Sequence, residues 1–90
     1  MSVIYKITPS GSRVIFLKDP KLNGPIGLVS DSAGNIYIAN YNANNILKVD
    51  KTGFVSVIAS EIIKPYGLHI ANGVLFISSQ GSNSIIRVKL

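Results

Sequence analysis

The tetrapeptide Pro25-Ile26-Gly27-Leu28 returns 40 residues later as Pro65-Tyr66-Gly67-Leu68, and the apolar runs and turns that follow each proline keep the same order. A supersecondary unit of that size cannot bury its hydrophobic face alone and must stack on its neighbours. Filled with short strands and Gly/Asn turns, a period of 40 is that of a four-stranded β-propeller blade.

Aligning the two units gives inner, second, third and outer strands. The inner strand is Gly27-Leu28-Val29-Ser30, repeated as Gly67-Leu68-His69-Ile70, and the second is Asn35-Ile36-Tyr37-Ile38-Ala39, repeated as Val74-Leu75-Phe76-Ile77-Ser78. The third is Ile46-Leu47-Lys48-Val49, repeated as Ile85-Ile86-Arg87-Val88 and present upstream as Ile4-Tyr5-Lys6-Ile7. The outer strand is Phe54-Val55-Ser56-Val57-Ile58, with Arg13-Val14-Ile15-Phe16-Leu17 as its upstream copy. Asn72-Gly73 between apolar runs predicts a two-residue hairpin, because both central residues of a type I′ turn take positive φ. Ser32-Ala33-Gly34-Asn35 holds the same place in the other unit, and Asp50-Lys51-Thr52-Gly53 matches Thr8-Pro9-Ser10-Gly11 as the turn into the outer strand. No segment of useful length carries a helical period, so the expected class is all-β.

The run Val74-Leu75-Phe76-Ile77 is apolar without alternation, which calls for cover on both sheet faces, as in a blade wedged between two others. With 47% hydrophobic and 14% charged residues in only 90, part of that cover is expected from another chain. There is no cysteine, hence no disulfide or thiolate chemistry. No apolar run approaches the ~18 residues of a membrane span, and the N-terminus lacks a basic start followed by a long apolar core. The chain therefore reads as soluble, in no particular compartment. The net charge is +5, but the nine Lys and Arg residues stand singly rather than in a stripe with aromatics, which argues against a nucleic-acid surface.

The run PIGLVSDSAGNIYIANYNANNILKVDKTG resembles an NHL repeat on Pro25, Gly27, Asp31, Gly34, Asn35, Asn44, Asn45, Ile46, Lys48 and Asp50. The second unit keeps Pro65, Gly67, Gly73, Asn83, Ile85 and Arg87. The resemblance implies propeller blades over nearly the whole chain. Similar blades occur in protein- and RNA-binding propellers, gluconolactonase-like hydrolases and streptogramin lyases. Residues 1–90 then form one propeller segment: 1–24 hold the third and outer strands of a split blade, 25–64 a full blade, and 65–90 the inner to third strands of the next. Two blades cannot close a ring. Three copies give six, each C-terminal half-blade being completed by the next chain's N-terminal hairpin, and either residues 4–7 or 85–88 supplies the third strand. The expected partner is therefore the chain itself, as a cyclic homotrimer; the alternative is that these residues are a segment of a longer propeller.

In an up-and-down blade the outer-to-inner and second-to-third connections share one face. Those are the longer loops, and on them Asn40, Tyr41, Asn42, Tyr66, Gln80 and Asn83 are candidate contacts to a protein or small-molecule ligand; turn geometry is the competing reason for the asparagines. His69 and Glu61 are the residues a divalent metal could recruit, His69 by three-fold repetition around a ring axis. Asp31 and Asp50 begin turns, where an acid accepts backbone N–H groups. No catalytic order of Ser, His and Asp and no phosphate loop is present. The expectation is a non-catalytic binding or scaffold module without a cofactor. The alternatives are a metal-dependent hydrolase or lyase of the gluconolactonase or streptogramin-lyase kind, and an RNA-binding propeller.

Overall fold

A computed structural model describes residues 3–7 and 13–90, with side chains from residue 19 onward. The described residues hold nine strands in three antiparallel sheets. β1 (Val3–Ile7) pairs with β2 (Arg13–Lys18). β3 (Pro25–Ser30), β4 (Ile36–Asn40), β5 (Asn45–Val49) and β6 (Val55–Ala59) follow one another in a four-stranded meander. β7 (Pro65–Ala71), β8 (Val74–Ser79) and β9 (Ser84–Lys89) form a three-stranded meander of the same order. The strands match those expected from the repeat, with β3 and β7 reaching back to their prolines. The expected turn at Thr8–Gly11 lies outside the described residues.

The turns carry the backbone geometry their residues favour. Asn72 and Gly73 have φ of 51° and 74°, the positive pair a type I′ turn needs. In the turn at Asp31 the Gly34 N–H donates to the Asp31 carbonyl, and in that at Asp50 the Gly53 N–H donates to the Asp50 carbonyl. Both glycines sit at φ 92°, where a Cβ is disfavoured.

Both Pro-x-Gly motifs carry a β-bulge: the register shifts between Pro25 and Gly27 and between Pro65 and Gly67. The extra residues, Ile26 and Tyr66, are left exposed. Between the two larger sheets lies the main core, where Tyr37, Ala39 and Ile46 meet Leu75 and Ile77. The opposite face of the four-stranded sheet holds a second cluster of Ile38, Leu47, Val49 and Val55. Each cluster is completed by one apolar side chain from a loop, Ile62 in the first and Leu22 in the second.

Stacking is head to tail. Leu68, Ile77 and Ile86 form one cross-strand row that faces the four-stranded sheet, whereas the corresponding row Leu28, Ile38, Leu47, Val57 faces away from β7–β9. Among the described residues one face of β7–β9 is packed and the other less so: Leu75 and Ile77 are fully buried, and Val74 and Phe76 on the other face are half-buried.

Candidate functional site

The long connections gather on one face, and the backbone joins them into a continuous belt. Tyr41 and Asn42 N–H donate to the Gly24 and Asn23 carbonyls at 3.1 Å each; one repeat later Gln80 and Gly81 N–H donate to the Lys64 and Ile63 carbonyls at 3.0 and 3.1 Å. The same two bonds recur because Tyr41 and Gln80 each follow the last residue of a second strand, while Gly24 and Lys64 precede the motif proline in left-handed conformation, φ 65° and 51°. The belt also crosses between sheets. Asn44, itself left-handed at φ 56°, accepts the Ile62 N–H on its carbonyl at 3.0 Å and the Lys64 N–H on its side-chain Oδ1 at 2.9 Å.

Asn40 works inside this belt. Fully buried, its Oδ1 accepts the Asn23 N–H at 2.6 Å while its Nδ2 donates to the Lys21 carbonyl at 2.7 Å and to Asn45 Oδ1 at 2.9 Å. The loop of residues 19–24 is thereby tied to the end of β4, with Leu22 pressed into the core. Ser79 holds the equivalent position at the end of β8, its hydroxyl donating to the Ile63 carbonyl at 2.6 Å. Asn83 repeats the left-handed turn of Asn44, at φ 52°.

The side chains brought together on the outer surface of the belt are Tyr41, Gln80 and Lys64. The Tyr41 hydroxyl donates to Gln80 Oε1 across the two sheets, and the Lys64 ammonium lies 5.0 Å over the Tyr41 ring, within cation–π range. Asn42 and Tyr66 are exposed. Lys64 was not among the residues singled out in the sequence; its place just before a repeat proline, opposite Gly24, was the available signal. Phenol, amide and ammonium groups suit hydrogen bonding and stacking to a polar or aromatic ligand.

His69 and Glu61 are not part of this cluster. His69 stands on the outer face of β7–β9, its ring 6.3 Å from that of Phe76, and Glu61 is an exposed left-handed residue at φ 59°. Among the described residues no three His, Cys, Asp or Glu side chains come close enough to hold a metal ion together.

At the opposite end of the sheets a cleft of about 330 Å³ opens between them, lined by Asp31, Asn35, Tyr37, Lys48 and Val88 among others. Its carboxylate is engaged: Asp31 Oδ1 accepts the Ala33 and Asn35 N–H groups at 2.9 and 3.0 Å, and Oδ2 accepts Asn35 Nδ2 and the Tyr37 hydroxyl at 3.0 and 2.9 Å. The Asn35 side chain above all, with these other donors, holds the Asp31 pKa down at about 2. Burial, reinforced by Asp31, pushes the Tyr37 phenol up to about 12. Asp50 is lowered by the Thr52 hydroxyl and the Phe54 N–H. These acids organise turns, as expected for their positions.

A pH dependence follows from both ends of the Asp31–Tyr37 bond. The unfolded aspartate titrates near ~3.9, above the folded value of about 2. The unfolded chain therefore binds the proton first, and the contribution of Asp31, full above roughly pH 4, is lost as pH falls toward 2. Tyr37 has the opposite sign: with a folded value of about 12 above the unfolded ~10, its contribution is full below roughly pH 10 and lost as pH rises toward 12. Urea midpoints should form a plateau between these limits, and Asp31→Asn should make the acid limb shallower. An acid limb unchanged by that substitution would refute the role given to Asp31.

No protein-family model and no curated protein sequence matches the chain. Solved structures do. A streptogramin B lyase structure superposes with a TM-score of 0.80 at 22% identity, over 97% of this chain and 30% of that one. A catalytically inactive virginiamycin B lyase from Staphylococcus aureus, with quinupristin, gives a TM-score of 0.79 at 22% identity, over 94% of this chain and 30% of that one. The chain thus spans about a third of the length of the structures it matches. At this identity the likeness speaks for fold alone, and it agrees with the stacked meanders described above: the chain is made of β-propeller blades.

Proposed function

We propose that the chain is a non-catalytic binding module, NHL-like in its blades, that associates with copies of itself into a six-bladed ring of three chains and presents the loop belt to a ligand. The observation that carries this reading is the Tyr41–Gln80–Lys64 cluster: a hydrogen-bonded platform from two blades, bearing groups that recognise polar or aromatic surfaces. Asn42, Tyr66 and Asn83 extend that platform, and Asn40 fixes it from beneath.

The second reading, a metal-dependent lyase, is favoured by the likeness to streptogramin-type lyases. It assigns His69 and Glu61 to the metal. One experiment separates the two. Protein purified without chelator, supplied with Zn²⁺ or Ca²⁺ and given quinupristin, is expected to leave the compound intact and to carry no stoichiometric metal. Turnover abolished by His69→Ala or Glu61→Ala would overturn the binding-module reading in favour of the enzyme.

A further inference from the structure

We infer that the outer face of the β7–β9 sheet is the seat for the β3 edge of a second copy of this chain, with the Ile26 carbonyl of that copy lying over Gly67. The inference rests on the self-association proposed above and gives it a surface.

The template is inside the molecule. Where β7 packs beside β3, a Cβ added to Gly27 would lie 2.3 Å from the Tyr66 carbonyl oxygen, so only glycine lets the bulged strand of the next blade come this close. Tyr66 is the bulged residue of its Pro-x-Gly motif, and Ile26 is its counterpart one repeat earlier. Gly67 is the counterpart of Gly27, and its surroundings are different: an added Cβ would meet nothing nearer than the Ser78 hydroxyl, at 3.1 Å. Among the described residues Gly67 meets only the rotatable Ser78 hydroxyl, a far milder constraint than the Tyr66 backbone puts on Gly27, whereas a second blade seated as β7–β9 is seated on β3–β6 supplies the strict one.

The rest of the face agrees. Gly27, Ala39 and Ile46 form one cross-strand row, and Gly67, Ser78 and Ile85 form the same row one blade on. Ile46 is 0% exposed and Ile85 62%, because the first row is covered by the next blade and the second is not. The complementary surface is also present. Ile26 and Leu28 on β3 are 56% and 53% exposed, and in their counterparts it is the Tyr66 carbonyl and the Leu68 side chain that β7 turns toward its neighbour. One face thus matches the other of a second copy and never itself, the head-to-tail arrangement from which rings form where the rotation closes.

Light scattering on wild type, Gly67→Ala and Ile85→Glu across a range of concentrations tests the interface, with circular dichroism to follow the fold. Wild type is expected to assemble, and each variant to keep its strand signal while raising the concentration at half-assembly by more than about tenfold. Because Ile85 is exposed, Ile85→Glu keeps the test decisive should Gly67→Ala disturb the sheet. Assembly that survives both substitutions overturns this interface and leaves self-association standing. A wild-type chain that stays monomeric throughout overturns self-association itself, and with it this inference; the exposed face would then belong to a different blade.

Discussion

Gly27→Ala is expected to lower the thermal midpoint by roughly 12–24 °C, the equivalent of about 3 kcal/mol in a domain this small. The new methyl carbon would lie 2.3 Å from the Tyr66 carbonyl oxygen and 3.3 Å from Ala39 Cβ. Neither neighbour can yield cheaply, since one is backbone held in the β7 bulge and the other is a fully buried residue of β4. The sheets must therefore separate along the cluster of Tyr37, Ala39, Ile46, Leu75 and Ile77, and total stability for 90 residues is only about 5–13 kcal/mol. Gly53→Ala provides the contrast. Its Cβ would meet nothing within 4 Å, but its φ is 92°, so the loss there is backbone strain of about 1 kcal/mol. Midpoints measured at one protein concentration, to hold association constant, should rank Gly27→Ala well below Gly53→Ala. Equal losses would mean that β3 and β7 do not approach as closely as described.

How much of this was legible in the sequence depends on the range over which each signal acts. The turns were legible because their cause is local: Asn72-Gly73 and the two Asp-x-x-Gly turns need positive φ, and the residues that tolerate it stand in place. The strands were legible because the repeat shows each of them at least twice. The loop plugs were not, although Leu22 and Ile62 each sit three residues before a repeat proline. One apolar residue in a polar loop looks like any other until the fold shows that it is buried. Exposure of Tyr66 likewise stems from a bulge that shifts the register of Pro65 and Gly67 against Ser79 and Ser78, on a neighbouring strand. Among the candidate contacts, Tyr41 and Gln80 meet across 39 residues of sequence, a pairing that the repeat allowed and composition could not specify. Asn40 was singled out for its loop position, but a side chain at a strand end is either displayed or buried according to where the neighbouring connection runs, and that is a tertiary fact.

Asn40 therefore supplies the second large effect. Asn40→Leu is expected to destabilise the chain by about 3 kcal/mol or more, since it leaves the Asn23 N–H and the Lys21 carbonyl without their present partner at roughly 1–3 kcal/mol each. The shape is nearly conserved, so the loss measures hydrogen bonding rather than a cavity. Asn40→Asp keeps an acceptor for the Asn23 N–H but removes both donated bonds, to the Lys21 carbonyl and Asn45 Oδ1, and puts a charge where nothing is exposed; it should be at least as damaging above the carboxylate pKa and partly recover on acidification. Asn40→Ser, which installs the residue that Ser79 provides in the second blade, should fall between wild type and Asn40→Leu, because one hydroxyl can still reach a loop carbonyl. Amide hydrogen exchange reads the effect locally. Release of the 19–24 loop needs only the Asn40 bonds and Leu22 to let go, so the Asn23 amide should lose protection in Asn40→Leu by a larger factor than amides in the middle of β4 and β5. An Asn23 amide as protected in the variant as in wild type would show that the loop is held by Leu22 alone, and would remove Asn40 from beneath the binding platform it is assigned to support.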